Sequence, residues 1–351
     1  MPAHRWPELD HVLAMTDDVG ILQHATLDVP NRSFGYCTDD VGRALIVACD
    51  AAEHDPEDRA AAKLVRTYLS FLHDARLPGG GFHGFMGYDR RWQDRGGTGD
   101  QIGRALWGLG YAEGRAPRSS WRALAAALRR HASDALPGLV HLRSRAYAVL
   151  GLAAALASRP SDELAVRTQL DALASAIADD YDRHRADDWI WCEDMMTYDN
   201  ARIPEALLRA GTALGNARYR EAGLSMLRFY ADAVIVDAVF EPVGSDGWYP
   251  RGGPKARFAQ QPLEAAALVE AAFVALDATG DERWHEVAAI AHAWFLGGNV
   301  HGLVLASDGS CADGLDAFGL NANRGAESTL SWMTSAMTMA RRSAIPLRAV
   351  R

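Results

Sequence analysis

Trp189-Ile190-Trp191-Cys192-Glu193-Asp194-Met195-Met196-Thr197-Tyr198-Asp199-Asn200-Ala201-Arg202-Ile203-Pro204-Glu205-Ala206-Leu207 sets two tryptophans, three acids (Glu193, Asp194 and Asp199), a tyrosine, an asparagine and an arginine at the approach to a helix that itself carries Glu205. Ile203, Ala206, Leu207 and Ala210 then follow at helical spacing. A purely structural helix has no use for such an approach. A sugar-binding cup does, because it needs flat apolar rings beside carboxylates and amides.

The same grammar recurs. Six helix starts combine a polar or acidic cluster, then small residues, then an apolar helix: Asp39-Asp40 with Arg43; Asp100 with Arg104; Ser144-Arg145; Asp199-Asn200 with Arg202; Gln260-Gln261 with Glu264; and Glu327-Ser328. Their separations of roughly 45 to 65 residues match one helical hairpin plus a loop. The helices between them carry more charge on their exposed faces. Counting an amino-terminal helix gives twelve, which predicts an all-α fold, an (α/α)6 toroid, as a single domain over residues 1–351 with short hairpins in the loops at the site end. Small residues suit inner helices that crowd at an axis. A solenoid or a pair of bundles would not place polar and aromatic residues at every second helix start.

Working outward, the first helix is expected from Pro7 to Thr16, with Pro7 suited to a helix start. Asp55-Pro-Glu-Asp58 and Ser161-Asp-Glu163 read as caps of outer helices. The Gly-rich run Pro78–Trp92, with alternating aromatics, reads as a small hairpin. Apolar content of 49% and 23% charged residues fit a large globular core. A net charge of -9 argues against a nucleic-acid partner. No h-region follows Met1 and no run of about 18 apolar residues occurs, so neither a signal peptide nor a membrane partner is expected. Cys37, Cys49, Cys192 and Cys311 are scattered and read as reduced packing residues of a cytoplasmic protein. No metal site and no cofactor is expected: no His-x-x-x-His or His-x-Glu pattern lies in a polar start. The sequence leaves the oligomeric state open.

Converging helix N-termini favour carboxylates. Taken singly, Asp40, Asp100, Asp199 and Ser144 read as N-caps; together they read as a site. Glycosidic cleavage needs one protonated and one ionised carboxyl. Glu193, beside Trp191 and outside the first helical turn, is the expected general acid, raised by desolvation. Asp40, Asp100 and Asp199, at helix starts, are expected ionised, one of them activating water or phosphate. Expected substrate contacts are Tyr36, Asp39, Arg43, Phe82, His83, Trp189, Trp191, Tyr198, Asn200, Arg202, Trp248, Gln260, Gln261, Glu264, Asn323, Arg324 and Glu327. Arg43, Arg104, Arg145 and Arg202 are expected to hold the acids, and His285 and His292 to be structural.

The strings Phe34-Gly-Tyr-Cys-Thr-Asp-Asp-Val-Gly-Arg-Ala-Leu45, Phe82-His-Gly-Phe-Met-Gly-Tyr-Asp89, Trp191-Cys-Glu-Asp194 with Thr197–Arg202, and Asn323-Arg-Gly-Ala-Glu-Ser-Thr-Leu330 resemble a bacterial group of six-hairpin glycosidase-like proteins. That group often carries a glycosyltransferase label and is associated with β-mannoside phosphorylases. The resemblance spans almost the whole chain and implies an (α/α)6 fold and carbohydrate chemistry. The label itself finds no βαβ pattern here. The resulting expectation is a glycoside hydrolase acting on a short mannose- or glucose-containing oligosaccharide. A phosphorylase is a variant, since helix N-termini also seat phosphate. The alternative is a sugar epimerase or isomerase of the N-acylglucosamine 2-epimerase-like type, which shares the toroid and works through histidines; only His83 and His141 stand near the cup. A non-catalytic glycan-binding protein would need the aromatics but not Glu193.

Overall fold

The alternation of polar-start and charged-face segments becomes two concentric layers. A computed structural model describes residues 4–95, 99–307 and 309–344. Among these, twelve α-helices occur. Six form the inner layer: α2 (Thr38–His54), α4 (Asp100–Arg115), α6 (Leu142–Ala157), α8 (Arg202–Leu214), α10 (Pro262–Thr279) and α12 (Ala326–Ala344). Each packs on the next, and α12 packs on α2, so the ring closes. The outer helices are α3 (Arg59–Asp74), α5 (Ser119–Ala132), α7 (Glu163–His184), α9 (Ala217–Val234) and α11 (Arg283–Ala293), each against the inner helix before it. The short α1 (Asp10–Met15) lies on α12. This is the (α/α)6 toroid.

Sequence explains which helix goes where. In α3 the buried residues Ala61, Leu64, Val65, Tyr68, Leu69 and Leu72 form one stripe, as a single-faced helix requires. In α10, Leu263 to Val269 and Ala271 to Phe273 are buried all round. Inner helices approach closely through glycine: a Cβ on Gly110 of α4 would stand 2.0 Å from the carbonyl oxygen of Gly151 of α6.

The loops before the inner helices are zipped together by short antiparallel ladders. Tyr36–Cys37, before α2, pairs with Phe85–Met86, before α4. Met195–Met196, before α8, pairs with Tyr249–Pro250, before α10. Gln260, before α10, bridges to Leu315, in the hairpin Gly314–Asp316/Gly319–Asn321 that precedes α12. The Gly-rich run Pro78–Trp92 is only partly the hairpin expected: its first residues turn Gly81–Phe82 back onto Arg76–Leu77, which precede it, and its Phe85–Met86 pairs with Tyr36–Cys37.

Two local expectations need correction. Helix α1 begins at Asp10, not Pro7. Asp58 caps α3, accepting from the Ala60 amide, but Asp162 does not cap α7, because its carboxylate turns to Arg129 at 2.7 Å. Helix α5 ends at Ala132 and continues as a 3-10 turn, Ser133–Gly138.

Gly110→Ala is expected to lower unfolding free energy by about 1–3 kcal/mol despite the gain in helix propensity, because two backbones must part. Urea unfolding checks this; an unchanged or higher midpoint would contradict the close-approach account.

Candidate active site

At the starts of α2, α4, α6, α8 and α10 the N-cap residues are Cys37, Gly99, His141, Ala201 and Gln261, and none makes a side-chain capping bond. Asp40, Asp100, Ser144 and Asp199 are therefore not caps. Asp100, Ser144 and Asp199 reach across to neighbouring elements instead, and Asp40 pairs with Arg43 of its own helix.

Four arginines organise these contacts. Arg43 of α2 donates to Asp40 at 2.7 Å and to Glu327 of α12 at 2.6 Å. Arg104 of α4 meets Asp199, ahead of α8, and Tyr147 of α6; the Tyr147 hydroxyl donates to the same Asp199 oxygen at 2.7 Å. Arg143 of α6 forks onto both Glu193 oxygens, at 2.7 and 3.2 Å, and donates to Asn200 and the Tyr198 carbonyl. Arg202 of α8 pairs with Glu205 and with Glu270 of α10, both at 2.6 Å. Asp100 accepts from Ser144 at 2.6 Å and from the Tyr198 hydroxyl. Glu264 accepts from the Asp199 amide, from the amide and side chain of Asn200, and from Tyr230.

Two layers result. Asp39, Arg43, Asp100, Glu193, Tyr198, Gln261 and Glu327 are partly exposed and form the surface a ligand would meet. Asp199, Asn200, Arg202, Gln260, Glu264 and Arg104 are buried beneath them. Asp199 holds φ of +52°, which aspartate tolerates, and Trp248 and Ala259 hold +59° and +57° in the approach to α10. Strained backbone thus gathers in the loops that build this end.

Burial pushes the Asp40 carboxyl up to about 7, with Arg43 opposing and Glu327 and Asp39 adding to the rise. Burial also raises Asp39. Glu264 rises to about 7 through burial and the adjacent Asp199, against the pull of its donors. For Asp199, burial works upward, but Arg104 and Arg202 prevail and hold it below its usual value.

Several expectations change here. Glu193 does not sit in an apolar pocket beside Trp191; the Arg143 guanidinium fills that place. Asp40, expected ionised, is the carboxyl displaced towards neutrality. Asp199 is a buried, ion-paired strut rather than an exposed catalyst. Trp189, Trp191, Phe82 and Tyr36 belong to the core. There Trp189 donates to the Glu193 carbonyl and Tyr36 to Asp17. Gln260 is pinned by Trp294 and the Arg257 carbonyl. Asn200, Arg202 and Glu264 are structural members under the site. Asn323 holds the Leu27 amide and Arg324 holds Ser310, so both brace the approach to α12. Trp248 is only partly buried but packs against the core. Arg145 turns outward to Asp180 of α7. Its expected role falls to Arg143, which lies i, i+4 from Tyr147 on the face that meets the bore; that spacing was a readable signal.

All four cysteines are free and buried, and burial raises the Cys37 and Cys192 thiols well above their usual value, which disfavours a nucleophilic role. A cavity of about 930 Å³ opens at the opposite end of the ring, between the C-terminal halves of α2, α4, α6, α8 and α10. Its acids are bound by arginines, Glu53 by Arg115, Glu113 by Arg129 and Asp277 by Arg342. The loops that carry the polar helix starts, zipped to one another by β-pairing, and the carboxyls of Asp39, Asp40, Asp100 and Glu327 lie instead at the N-terminal end, and we place the candidate site there.

No family model matches the sequence, and no curated protein sequence matches it either. Solved structures do match in fold. A sugar epimerase from a ruminal bacterium aligns with a TM-score of 0.73 at 12% identity, over 94% of this chain and 94% of that one. Cellobiose 2-epimerase from Bacillus thermoamylovorans aligns with 0.73 at 10%, over 95% and 96%. A GH76 α-mannanase from Bacteroides thetaiotaomicron aligns with 0.63 at 9%, over 95% and 94%. At such identities the likeness establishes the toroid fold alone.

Arg202→Leu strands Glu270 without an ion-pair partner and leaves Glu205 to Arg209 alone, and is expected to destabilise the protein by about 3–5 kcal/mol at pH 8. The loss should shrink towards pH 5, where the stranded Glu270, already raised by burial, takes up a proton on folding. Urea unfolding at both pH values tests this; a loss independent of pH would contradict the network.

Proposed function

We propose that the chain is an enzyme that acts on a mono- or disaccharide by proton transfer, with Asp40 and Glu327 as the working carboxyls. One observation carries the reading: the Arg43 guanidinium donates one Nη to each of them, so the pair flanks a single fixed cation. Burial raises Asp40 to about 7, the range in which a carboxyl can both give and take a proton near neutral pH. Glu327 is more open to solvent, its side chain 39% exposed. Asp39, Asp100, Tyr198 and Gln261 supply the neighbouring hydroxyl-binding groups.

Epimerisation or isomerisation is the reading we put first. It is supported by the fold neighbours at a TM-score of 0.73, which bear epimerase names. In that chemistry a base removes the proton beside a carbonyl and an acid protonates the oxygen. Glycoside hydrolysis is the second reading. It is favoured by the site's reliance on carboxyls, since one acid could protonate the leaving oxygen while another activates water.

Incubation with mono- and disaccharides in deuterated buffer separates the two. Epimerisation puts deuterium at the carbon beside the carbonyl and yields an isomer; hydrolysis yields a new reducing end without that label. Asp40→Asn is expected to lower kcat/KM by about 10²–10⁴-fold and to abolish the limb of the pH profile near 7. No turnover of any sugar, or an unaltered profile in the variant, would overturn the reading.

Asp40 also makes stability pH-dependent. Its folded value lies above its unfolded value of about 4, so the folded state holds the extra proton between the two. Stability should therefore fall as pH rises from about 4 to about 7, and fall less in Asp40→Asn. An equal slope in both proteins would contradict the raised value.

A further inference from the structure

The cavity of about 930 Å³ at the far end of the bore has a floor of its own. Trp107 of α4 and Glu270 of α10 lie at its inner end, and Arg115 and Ala278 lie on the same two helices at its mouth. At about 1.5 Å per helical residue the cavity is about 12 Å deep. It stays open because α6, α8 and α10 line it with small residues, Ala153, Ala154, Ala157, Ala213 and Ala278. The Arg202 guanidinium joins the two floor residues: it stacks 4.6 Å from the Trp107 ring and meets one Glu270 oxygen at 2.6 Å. Neither residue is fully satisfied by it. The indole N–H of Trp107, a residue only 8% exposed, finds no acceptor among the described residues. The second Glu270 oxygen accepts from nothing among them either, although that side chain is only 16% exposed. A donor and an acceptor thus stand unmet on either side of one guanidinium, deep inside the ring.

The rest of the lining discriminates between ligand classes. Four guanidiniums, of Arg115, Arg122, Arg167 and Arg209, balance four carboxyls, those of Glu270 and of the three acids described above. Arg122 is bound only to the Ala116 carbonyl, at 2.7 Å, and keeps donors free. A cation entering here meets the guanidiniums. An anion meets the carboxyls and the carbonyl ends of the inner helices that stop here. A purely apolar ligand would strip water from these charges and leave both floor groups unmet. A neutral molecule with hydroxyls on every side satisfies donors and acceptors alike, and its C–H faces suit Ile46, Leu150, Val274 and the Tyr111 ring.

We propose that this cavity is a second carbohydrate-binding site, separate from the one at the N-terminal end, and that it takes a neutral oligosaccharide of about two or three sugar units. At the floor one hydroxyl accepts from the Trp107 N–H and another donates to Glu270. Arg122 donates to the sugar unit nearer the mouth. The inference does not rest on the reaction assigned to Asp40 and Glu327.

The test uses the full chain labelled with ¹⁵N-tryptophan, the Trp107 indole signal being assigned by comparison with Trp107→Phe. Cellobiose, mannobiose and maltotriose are titrated in turn, with inorganic phosphate and spermidine as charged probes. At least one of the oligosaccharides should move the Trp107 indole N–H saturably, and neither charged probe should. Ala154→Trp, which fills the cavity from α6 and leaves the arginine network untouched, should weaken that binding about ten-fold or more. Arg122→Leu, at the mouth, should weaken it about ten-fold, and it decides the matter if Ala154→Trp does not fold. A Trp107 signal that stays still under all three oligosaccharides would overturn the proposal. So would movement with phosphate or spermidine alone, or a response undiminished in the folded variants, since the signal would then report the N-terminal end. If Trp107 responds and the wild type turns over no sugar, the proposed reaction fails and the second site stands. If sugar is turned over and Trp107 does not respond, only the second site fails.

Discussion

Four guanidinium groups, one from each of the first four inner helices, hold the toroid together at the end where those helices begin. Arg43, Arg104, Arg143 and Arg202 each bond an acid or amide on another helix or its approach. Helix N-termini are already electropositive, so arginines there would repel without carboxylates between them. The acids are therefore a structural necessity before they are anything else. A buried ion pair adds little net stability, but removing one partner is expensive. The starts of the inner helices consequently cannot shift independently, and the loops that precede them are zipped by β-pairing as well.

The same network sorts the acids into two kinds. Where guanidinium contact outweighs burial, as at Asp199, the carboxyl is held below its usual value and serves as framework. Where burial outweighs the counter-charge, as at Asp40, the carboxyl is left close to neutrality at about 7. Glu264 shares that balance but lies buried under the Asp199–Asn200 turn, with its oxygens occupied by four donors. Asp40 differs because its guanidinium partner also serves the half-exposed Glu327. Scaffold and chemistry are thus one set of charges, divided by how well each is compensated.

The fold was legible because it rests on a repeat. The polar starts at Asp39, Asp100, Ser144, Asp199, Gln261 and Glu327 mark the six inner helices, and their spacing gives the hairpins. Membership of the candidate site was legible only as a neighbourhood. Depth was not, because a polar start looks the same whether its side chain faces solvent or the next helix. Trp189 and Trp191 read as sugar platforms but fill the core, since the approach to α8 folds inward against Phe229 and Tyr230. Glu193 read as a desolvated acid because its partner, Arg143, lies fifty residues away in sequence. The Asp94–His83 contact was hidden for the opposite reason: it is local, but lies in a Gly-rich run that propensity reads only as a hairpin.

On the proposed function, Asp40, buried at the start of α2, exchanges a proton at neutral pH in contact with a sugar. Carbon-13 titration of its carboxyl, assigned through Asp40→Asn and repeated with saturating sugar, measures this directly. A midpoint near 7 that moves when sugar is added is the expected result. A midpoint near the ordinary carboxylate value of about 4, indifferent to sugar, would contradict it.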